Sequence, residues 1–321
     1  MGLPSVAAAM KGAGTVAVLF LMAATPLRAD DSLAALGAGG LRLLTSEDVA
    51  MEHQDLVLSP DLVSVAFTFR NRSPTPVESL VAFVLPDLTP EDYRRRFPDA
   101  PPRGDNFLSF EGEVDGRAIV PQWEIRAIAS DGADITDRLA AAGAGPSYFA
   151  LDRQSDTRER LRRAGFVDED GIPVWTMRTR LYWRQAFPVS RPVVVEHRYR
   201  PLVGEMALFV PMLEDSPVGH GLATDYCMSA ADKAAALAMD TTVSNDDRMV
   251  VVRFIDYTLT TGANWKGPIG DLSVTVDAGA PDHLVATCFP GLRRVTPGRF
   301  EARARDVEPT EDIRLMIIGP R

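Results

Sequence analysis

Cysteine is scarce in this chain, which has two, Cys227 and Cys288, among 321 residues. Neither has a second cysteine or a histidine within a few residues, which argues against a zinc site of Cys-His type. The four histidines, His53, His197, His220 and His283, are scattered and not paired at metal-ligand spacing. Also missing are the HExxH helix of zinc peptidases, the GxSxG nucleophile elbow and the glycine-rich phosphate loop. Three common routes to catalysis therefore have no motif here, and no cofactor or metal is implied. A Ser-His-Asp set assembled from distant positions stays open, because spacing alone does not reveal it. There is no repeat at a solenoid period and no low-complexity tail. After the first 29 residues no segment is long and apolar enough to cross a bilayer, so a soluble mature chain with no transmembrane segment is expected.

Basic residues are also in deficit, with a formal net charge of −10. Residues 1–29 hold Lys11 and Arg28 and no acid, so removing them takes the charge to about −12. Nucleic acid and anionic lipid surfaces reward clustered Lys and Arg, so neither is expected as a partner. The densest basic clusters, Arg94-Arg95-Arg96 and Arg158 to Arg163, read as exposed helix faces. With 46% apolar residues the chain can bury a large core.

What is present starts with the N-terminal segment. After Met10 and Lys11 comes an apolar run over 13–24, then Thr25-Pro26-Leu27-Arg28-Ala29 and the acidic pair Asp30-Asp31. A positive start, a short apolar stretch and a small residue before a polar sequence are the parts of a secretory signal peptide. The run is about 12 residues, short of the roughly 20 that span a bilayer. Cleavage after Ala29 and a periplasmic mature protein are expected, with Met10 a candidate initiator and an uncleaved anchor the alternative. In such an oxidising compartment an isolated cysteine pair forms one disulfide, the alternative being two free thiols.

Period-two alternation dominates the remainder. In Val63-Ser64-Val65-Ala66-Phe67-Thr68-Phe69 the apolar residues share one face, as in a half-buried strand. The turn Asn71-Arg72-Ser73-Pro74 and a second run over 77–85 predict an antiparallel hairpin. Similar runs occur at 107–114, 117–129, 174–184, 193–199, 249–260, 272–276, 283–289, 300–305 and 313–318. Many short strands separated by Gly and Pro turns predict a mainly β, antiparallel β-sandwich architecture. Two sandwich-like lobes with short helical insertions are expected, 30–170 and 171–321. Helices are predicted at 89–97, 134–142, 156–164 and 229–239, from acidic starts, glycine stops and an alanine-rich run.

Several segments together carry a family resemblance. They include Leu36-Gly37-Ala38-Gly39-Gly40-Leu41, Phe67-Thr68-Phe69-Arg70-Asn71 and Val81-Ala82-Phe83-Val84-Leu85-Pro86. Further on come Tyr182-Trp183-Arg184-Gln185-Ala186-Phe187-Pro188, Val195-Glu196-His197-Arg198-Tyr199, Asp225-Tyr226-Cys227 and Thr261-Gly262-Ala263-Asn264-Trp265-Lys266-Gly267-Pro268-Ile269. Over nearly the whole mature chain the sequence resembles the bacterial domain-of-unknown-function family 4424. The resemblance implies an exported protein of unassigned activity, supplies no catalytic residue, and implies that Cys227 and Cys288 belong together. Ala230-Ala231 departs from the more polar residues expected there.

Four groups of residues invite a functional reading. His197 shares a strand face with Val193, Val195 and Tyr199, so a half-buried structural histidine competes with an acid-base role. Asp168-Glu169-Asp170-Gly171 could be read as a calcium loop but lacks the alternating ligands, and a solvated turn is the simpler reading. Trp175 and Trp183, eight residues apart on one strand, face one side and read as core. Asn264, Trp265 and Lys266 sit in a glycine-flanked loop, and are the candidate binding residues. The competing reading makes Trp265 a plug at the end of the sandwich. Two functions follow as expectations: a non-catalytic binding or structural module of the cell envelope, engaging an envelope protein or a glycan, or a hydrolase of carbohydrate or ester bonds.

Overall fold

The computed structural model describes residues 31–37, 40–96, 106–151, 155–244 and 249–321. The expected signal peptide and the end of the first predicted helix at Phe97 lie outside the described residues. The chain opens with strands β1 (Asp31–Gly37), β2 (Gly40–Leu44), β3 (Val49–Leu58), β4 (Val63–Asn71) and β5 (Val77–Val84), then helix α1 (Pro90–Arg96). Strands β6 (Glu111–Val114), β7 (Arg117–Ile119) and β8 (Gln122–Ile128) precede helices α2 (Thr136–Ala141) and α3 (Ser155–Arg163). Next come β9 (Thr176–Phe187), β10 (Val193–Tyr199) and β11 (Gly204–Ala207), and a helical cap of α4 (Met212–Asp215), α5 (Pro217–Asp225) and α6 (Ala230–Ser244). The chain closes with β12 (Val250–Tyr257), β13 (Ile269–Asp277), β14 (Leu284–Ala286), β15 (Arg293–Thr296), β16 (Arg299–Val307) and β17 (Ile313–Pro320).

These strands form a five-stranded sheet (β2-β1-β5-β9-β8), an eight-stranded sheet (β15-β16-β13-β3-β4-β10-β6-β7) and a four-stranded sheet (β11-β12-β17-β14). The only parallel pairing among the described residues is β13 with β3. The mainly β, layered fold expected from the alternation is present. Strands from both sides of residue 170 share two sheets: β9 lies between β5 and β8, and β10 between β4 and β6.

The expected hairpin of 62–70 with 77–85 is corrected. Strand β4 pairs with β3 and β10, whereas β5 pairs with β1 and β9 in another sheet. The two sheets meet across the interior, where Phe69 of β4 packs on Phe187 of β9 at 5.9 Å and Phe83 of β5 on His197 of β10 at 5.1 Å. The Asn71 amide fixes this crossing by donating to the Thr75 and Phe187 carbonyls at 2.7 and 2.9 Å.

Local chemistry explains the helices. Thr89 and Asp92 form a capping box on α1, with the Asp92 N–H donating to Thr89 Oγ1 at 3.0 Å. Gly143 and Gly165 close the helical segments after α2 and α3 with φ of 79° and 73°, left-handed values that glycine adopts without steric cost. Two helices that periodicity did not announce, α4 and α5, are divided by Ser216, whose Oγ accepts from the Gly219 N–H at 3.0 Å.

The four-stranded sheet is a middle layer with two dry faces. Ile255, Tyr257, Ile313, Leu315 and Ile317 join the main interior with the facing sheets. Val252, Phe254, Met316 and Ile318 pack instead under the helical cap, against Leu213, Tyr226 and Ala236. This arrangement brings the end of α5, the segment after β14 and the β16–β17 connection to one edge of the molecule.

Candidate functional site

The loop expected to recognise a partner is mostly internal. Thr260–Asn264 winds into a 3-10 turn, and Trp265 is 2% exposed, its ring 4.2 Å from that of Phe69 and 5.9 Å from that of Phe187. The Asn264 amide donates to Ser32 Oγ at 2.9 Å, and its carbonyl accepts from the Ser46 N–H at 2.7 Å. Lys266 is exposed, its N–H bonds the Val49 carbonyl at 2.8 Å, and its ammonium meets the Glu47 carbonyl. The segment thus fastens β1 and the start of β3 to the core. Trp265 adds no apolar surface on which a partner could dock.

His197 is 0% exposed, where the alternation predicted half burial. Its ring lies 5.0 to 5.8 Å from the rings of Phe67, Phe83, Phe110 and Trp183. Burial among aromatics penalises the imidazolium and pushes the pKa down to about 3. A neutral ring sealed from solvent cannot exchange protons with a bound substrate. Glu196, on the same strand, is exposed on the opposite face.

Asp168 behaves as the simple turn predicts. Its Oδ1 accepts from the N–H groups of Asp170 and Ile172 at 3.0 and 2.8 Å, and Arg94 pairs with its other oxygen. These donors and the Arg94 charge hold its carboxyl below the usual range, overcoming the opposing effect of burial. Trp175 and Trp183 both lie in the core, as their spacing predicts. Among the described residues no group of three or more His, Cys, Asp or Glu is placed to hold a metal ion.

The cavity with the most available chemistry is a cleft of about 700 Å³ at the edge of the four-stranded sheet. Cys227 and Cys288 are bonded beside it, S–S 2.02 Å, tying the end of α5 to the segment after β14. Leu259, Phe289, Pro290, Val307 and Pro309 supply its apolar lining. Asp225, Glu308, Glu311, Asp312 and Arg314 supply its charge.

These charged groups are not equivalent. Asp312 Oδ1 accepts from Thr260 Oγ1 at 2.7 Å and from the N–H groups of Thr260 and Leu259 at 3.1 and 3.2 Å, so it is part of the frame. The Arg314 guanidinium lies 5.0 Å over the Tyr226 ring and 4.0 Å from Asp256. Asp225, Glu308 and Glu311 are exposed, and their carboxylates make no ion pair or hydrogen bond among the described residues. A second, more open depression of about 570 Å³ over β3, β13 and β16 differs in this respect. There Asp271 is already paired with His53 at 3.3 Å and Arg305 at 3.1 Å.

Of the cleft's lining, the sequence draws attention to Cys288 and, within the family-like segment Asp225-Tyr226-Cys227, to Asp225. Much of its charge lies in a short connection, Glu308-Pro309-Thr310-Glu311-Asp312, whose acid-proline pattern between two strands was the available signal.

The DUF4424 family, described as a domain of unknown function, matches residues 29–316, and the chain belongs to this family. No curated protein matches the chain. Among solved structures it is similar to a candidate nutrient binding protein from Legionella pneumophila, at 14% identity and a TM-score of 0.44, covering 90% of this chain and 72% of that one. It is also similar to an M1 zinc metallopeptidase from Deinococcus radiodurans with bound Tyr-Ser-Ala substrate, at 10% identity and a TM-score of 0.25, covering 86% of this chain and 44% of that one. Likenesses this distant transfer no function to the present chain.

Proposed function

We propose that this chain is an exported, non-catalytic binding module of the cell envelope, and that the cleft beside the disulfide seats a ligand joining a positive charge to an apolar group. Export is supported by the signal-like segment at 1–29 and by the bonded cysteine pair, which persists in oxidising compartments. The observation that carries the ligand class is the cleft's lining. Three exposed carboxylates, Asp225, Glu308 and Glu311, line the cleft together with Phe289 and Pro290, against a single cation among the described residues, Arg314, on which the Asp225 charge also acts. Carboxylates left in water keep their charge and attract an ammonium or guanidinium, while the apolar lining gains by removing apolar surface from water. The spread of these groups around the rim suits an organic cation better than a bare metal ion, which needs converging ligands.

A hydrolase reading has less support, because His197 is sealed in the core and Asp312 is committed to the Leu259–Thr260 turn.

Phenethylamine, an ammonium next to an aromatic ring, is a suitable first probe. In an NMR titration its binding should shift resonances of residues that line the cleft. The pair Glu308→Gln and Glu311→Gln together should weaken it about tenfold, equivalent to roughly 1.4 kcal/mol. Shifts elsewhere, or equal affinity in the double variant, would reject the cleft as the seat.

A further inference from the structure

We propose that the Cys227–Cys288 disulfide is a redox latch, whose reduction by a dithiol frees the α5–α6 part of the helical cap from the sheet edge and opens one wall of the cleft. The consequence for the cleft rests on the ligand reading above; the latch itself does not.

Access is the first argument. Both cysteines are exposed, and Cys288 lines the cleft. Exposed disulfides are the ones that exchange with thiols, whereas sealed ones resist reduction.

Backbone conformation is the second. Helix α5 ends in a Schellman turn, with the Met228 N–H donating to the Ala223 carbonyl at 2.8 Å and the Cys227 N–H to the Thr224 carbonyl at 3.1 Å. Glycine is usual at the left-handed position of this turn, but here Cys227 occupies it with φ of 50°. In that conformation the Cβ of any residue but glycine crowds the backbone, so the turn is strained. Breaking the bond removes the tether that holds residue 227 in place, so the turn can relax.

The third argument is what else holds the cap. Beside buried Ala236 of α6, Gly219 and Ala223 of α5 and Tyr226 at the end of α5, the contacts come from half-buried Leu222, Met228, Leu237 and Met239. Half-buried side chains of this kind, the flexible methionines above all, form a more adaptable layer than a sealed aromatic core. The helices also carry their own caps. Ser229 and Asp232 bond reciprocally at the start of α6, Asp232 N–H to Ser229 Oγ at 3.1 Å and Ser229 N–H to Asp232 Oδ2 at 2.9 Å. The bond's other end follows β14, the edge strand, so β12 and β17 keep their pairing when it is cut.

The exchange balances without further reagents. A thiolate of the dithiol attacks Cys288 Sγ, forming a mixed disulfide, and Cys227 leaves as a thiolate that takes up a proton. The second thiol of the reductant then attacks its own sulfur in the mixed disulfide and releases Cys288, which is protonated in turn. Two electrons pass to the protein, and the dithiol becomes a disulfide. Cys288 Sγ lies 3.5 Å from the Asp225 carbonyl oxygen, near the acidic rim. The acidic groups lining the cleft repel small anionic thiols, which are therefore poor reductants for this bond.

Hydrogen exchange on the full chain, oxidised and after treatment with dithiothreitol, tests the latch without any ligand. Amides of α5 and α6 should exchange at least about tenfold faster after reduction, while β12 and β17 keep their protection. Unchanged exchange in the cap, or loss of protection in β12 and β17 as well, would overturn the latch. The variant Cys227→Gly with Cys288→Ser removes the bond and the left-handed strain together. It should show the same fast cap, and a cap as protected as in the oxidised chain would overturn the proposal independently. Phenethylamine titration of both redox states separates the two readings. If the cap is released but the probe binds neither state, the latch stands and the ligand reading fails; equal binding to both states overturns the claim that the latch opens the cleft.

Discussion

The two faces of the four-stranded sheet are held by different means. On the inner side, Ile255, Tyr257, Ile313, Leu315 and Ile317 join an interior in which the large rings of Phe67, Phe69, Phe83, Phe187, Trp175 and Trp265 are at most 2% exposed. On the outer face the contacts come from buried Leu213, Tyr226 and Ala236, from half-buried Leu222, Leu237, Met212, Met228 and Met239, and from one covalent bond. Aromatic packing rewards shape and tolerates little change. Methionine is flexible and fills irregular space, so a layer built on it can shift without losing its character. The fold thus sets a rigid interior beside a cap that is free to move once untied.

The largest test of this contrast is Trp265→Ala. Removing a buried indole between Phe69 and Phe187 should cost about 3–5 kcal/mol in urea unfolding. A loss under about 1 kcal/mol would mean that the ring is not part of the interior.

Acid should strain the same interior. His197 has a folded pKa pushed down to about 3, below the usual value near 6.5, so only the unfolded chain gains its proton between those limits. Stability then falls as pH drops from about 6.5 towards 3, by up to about 1.4 kcal/mol per pH unit from this ring. His197→Phe should flatten that slope when unfolding is followed at several pH values. An unchanged slope would assign the acid sensitivity to other groups.

A smaller effect is expected at the boundary of the two regions. Asp312→Ala removes the acceptor for the Thr260 hydroxyl and two backbone N–H groups, and should cost about 1–2 kcal/mol, with disturbed amide resonances at 259–260. Smallest of all should be Met239→Leu in the cap, under about 1.5 kcal/mol in the same assay. Should it match Trp265→Ala, the proposed difference between the regions would be lost.

Legibility from the sequence followed the range of each interaction. Strand β10 could be placed at 193–199 because its inward residues alternate without a break, and its extent matches. Helices α2 and α3 were visible through glycine stops and acidic starts. Short α4 and α5 were not, since four to nine residues without strong amphipathicity leave no period to detect. The partner of β4 was misjudged because alternation says which side of a strand is apolar and nothing about which strand lies beside it. In the 260–268 segment, Asn264 and Trp265 could be read either as a display loop or as a plug, since Gly and Asn mark a turn whether it faces outward or folds in.

The sequence by itself determined the alternation that makes this chain a set of sheets, the glycine stops after α2 and α3, the acidic balance and the presence of a single cysteine pair. These are properties of neighbouring residues, and a few residues of context suffice to express them. Only the tertiary structure decided that β4 and β5 go to different sheets, that Trp265 is enclosed, and that Asp225, Glu308 and Glu311 share a cleft with Cys288. Each of these depends on which distant segments pack together, and that is settled by burying the most apolar surface with the polar groups still paired.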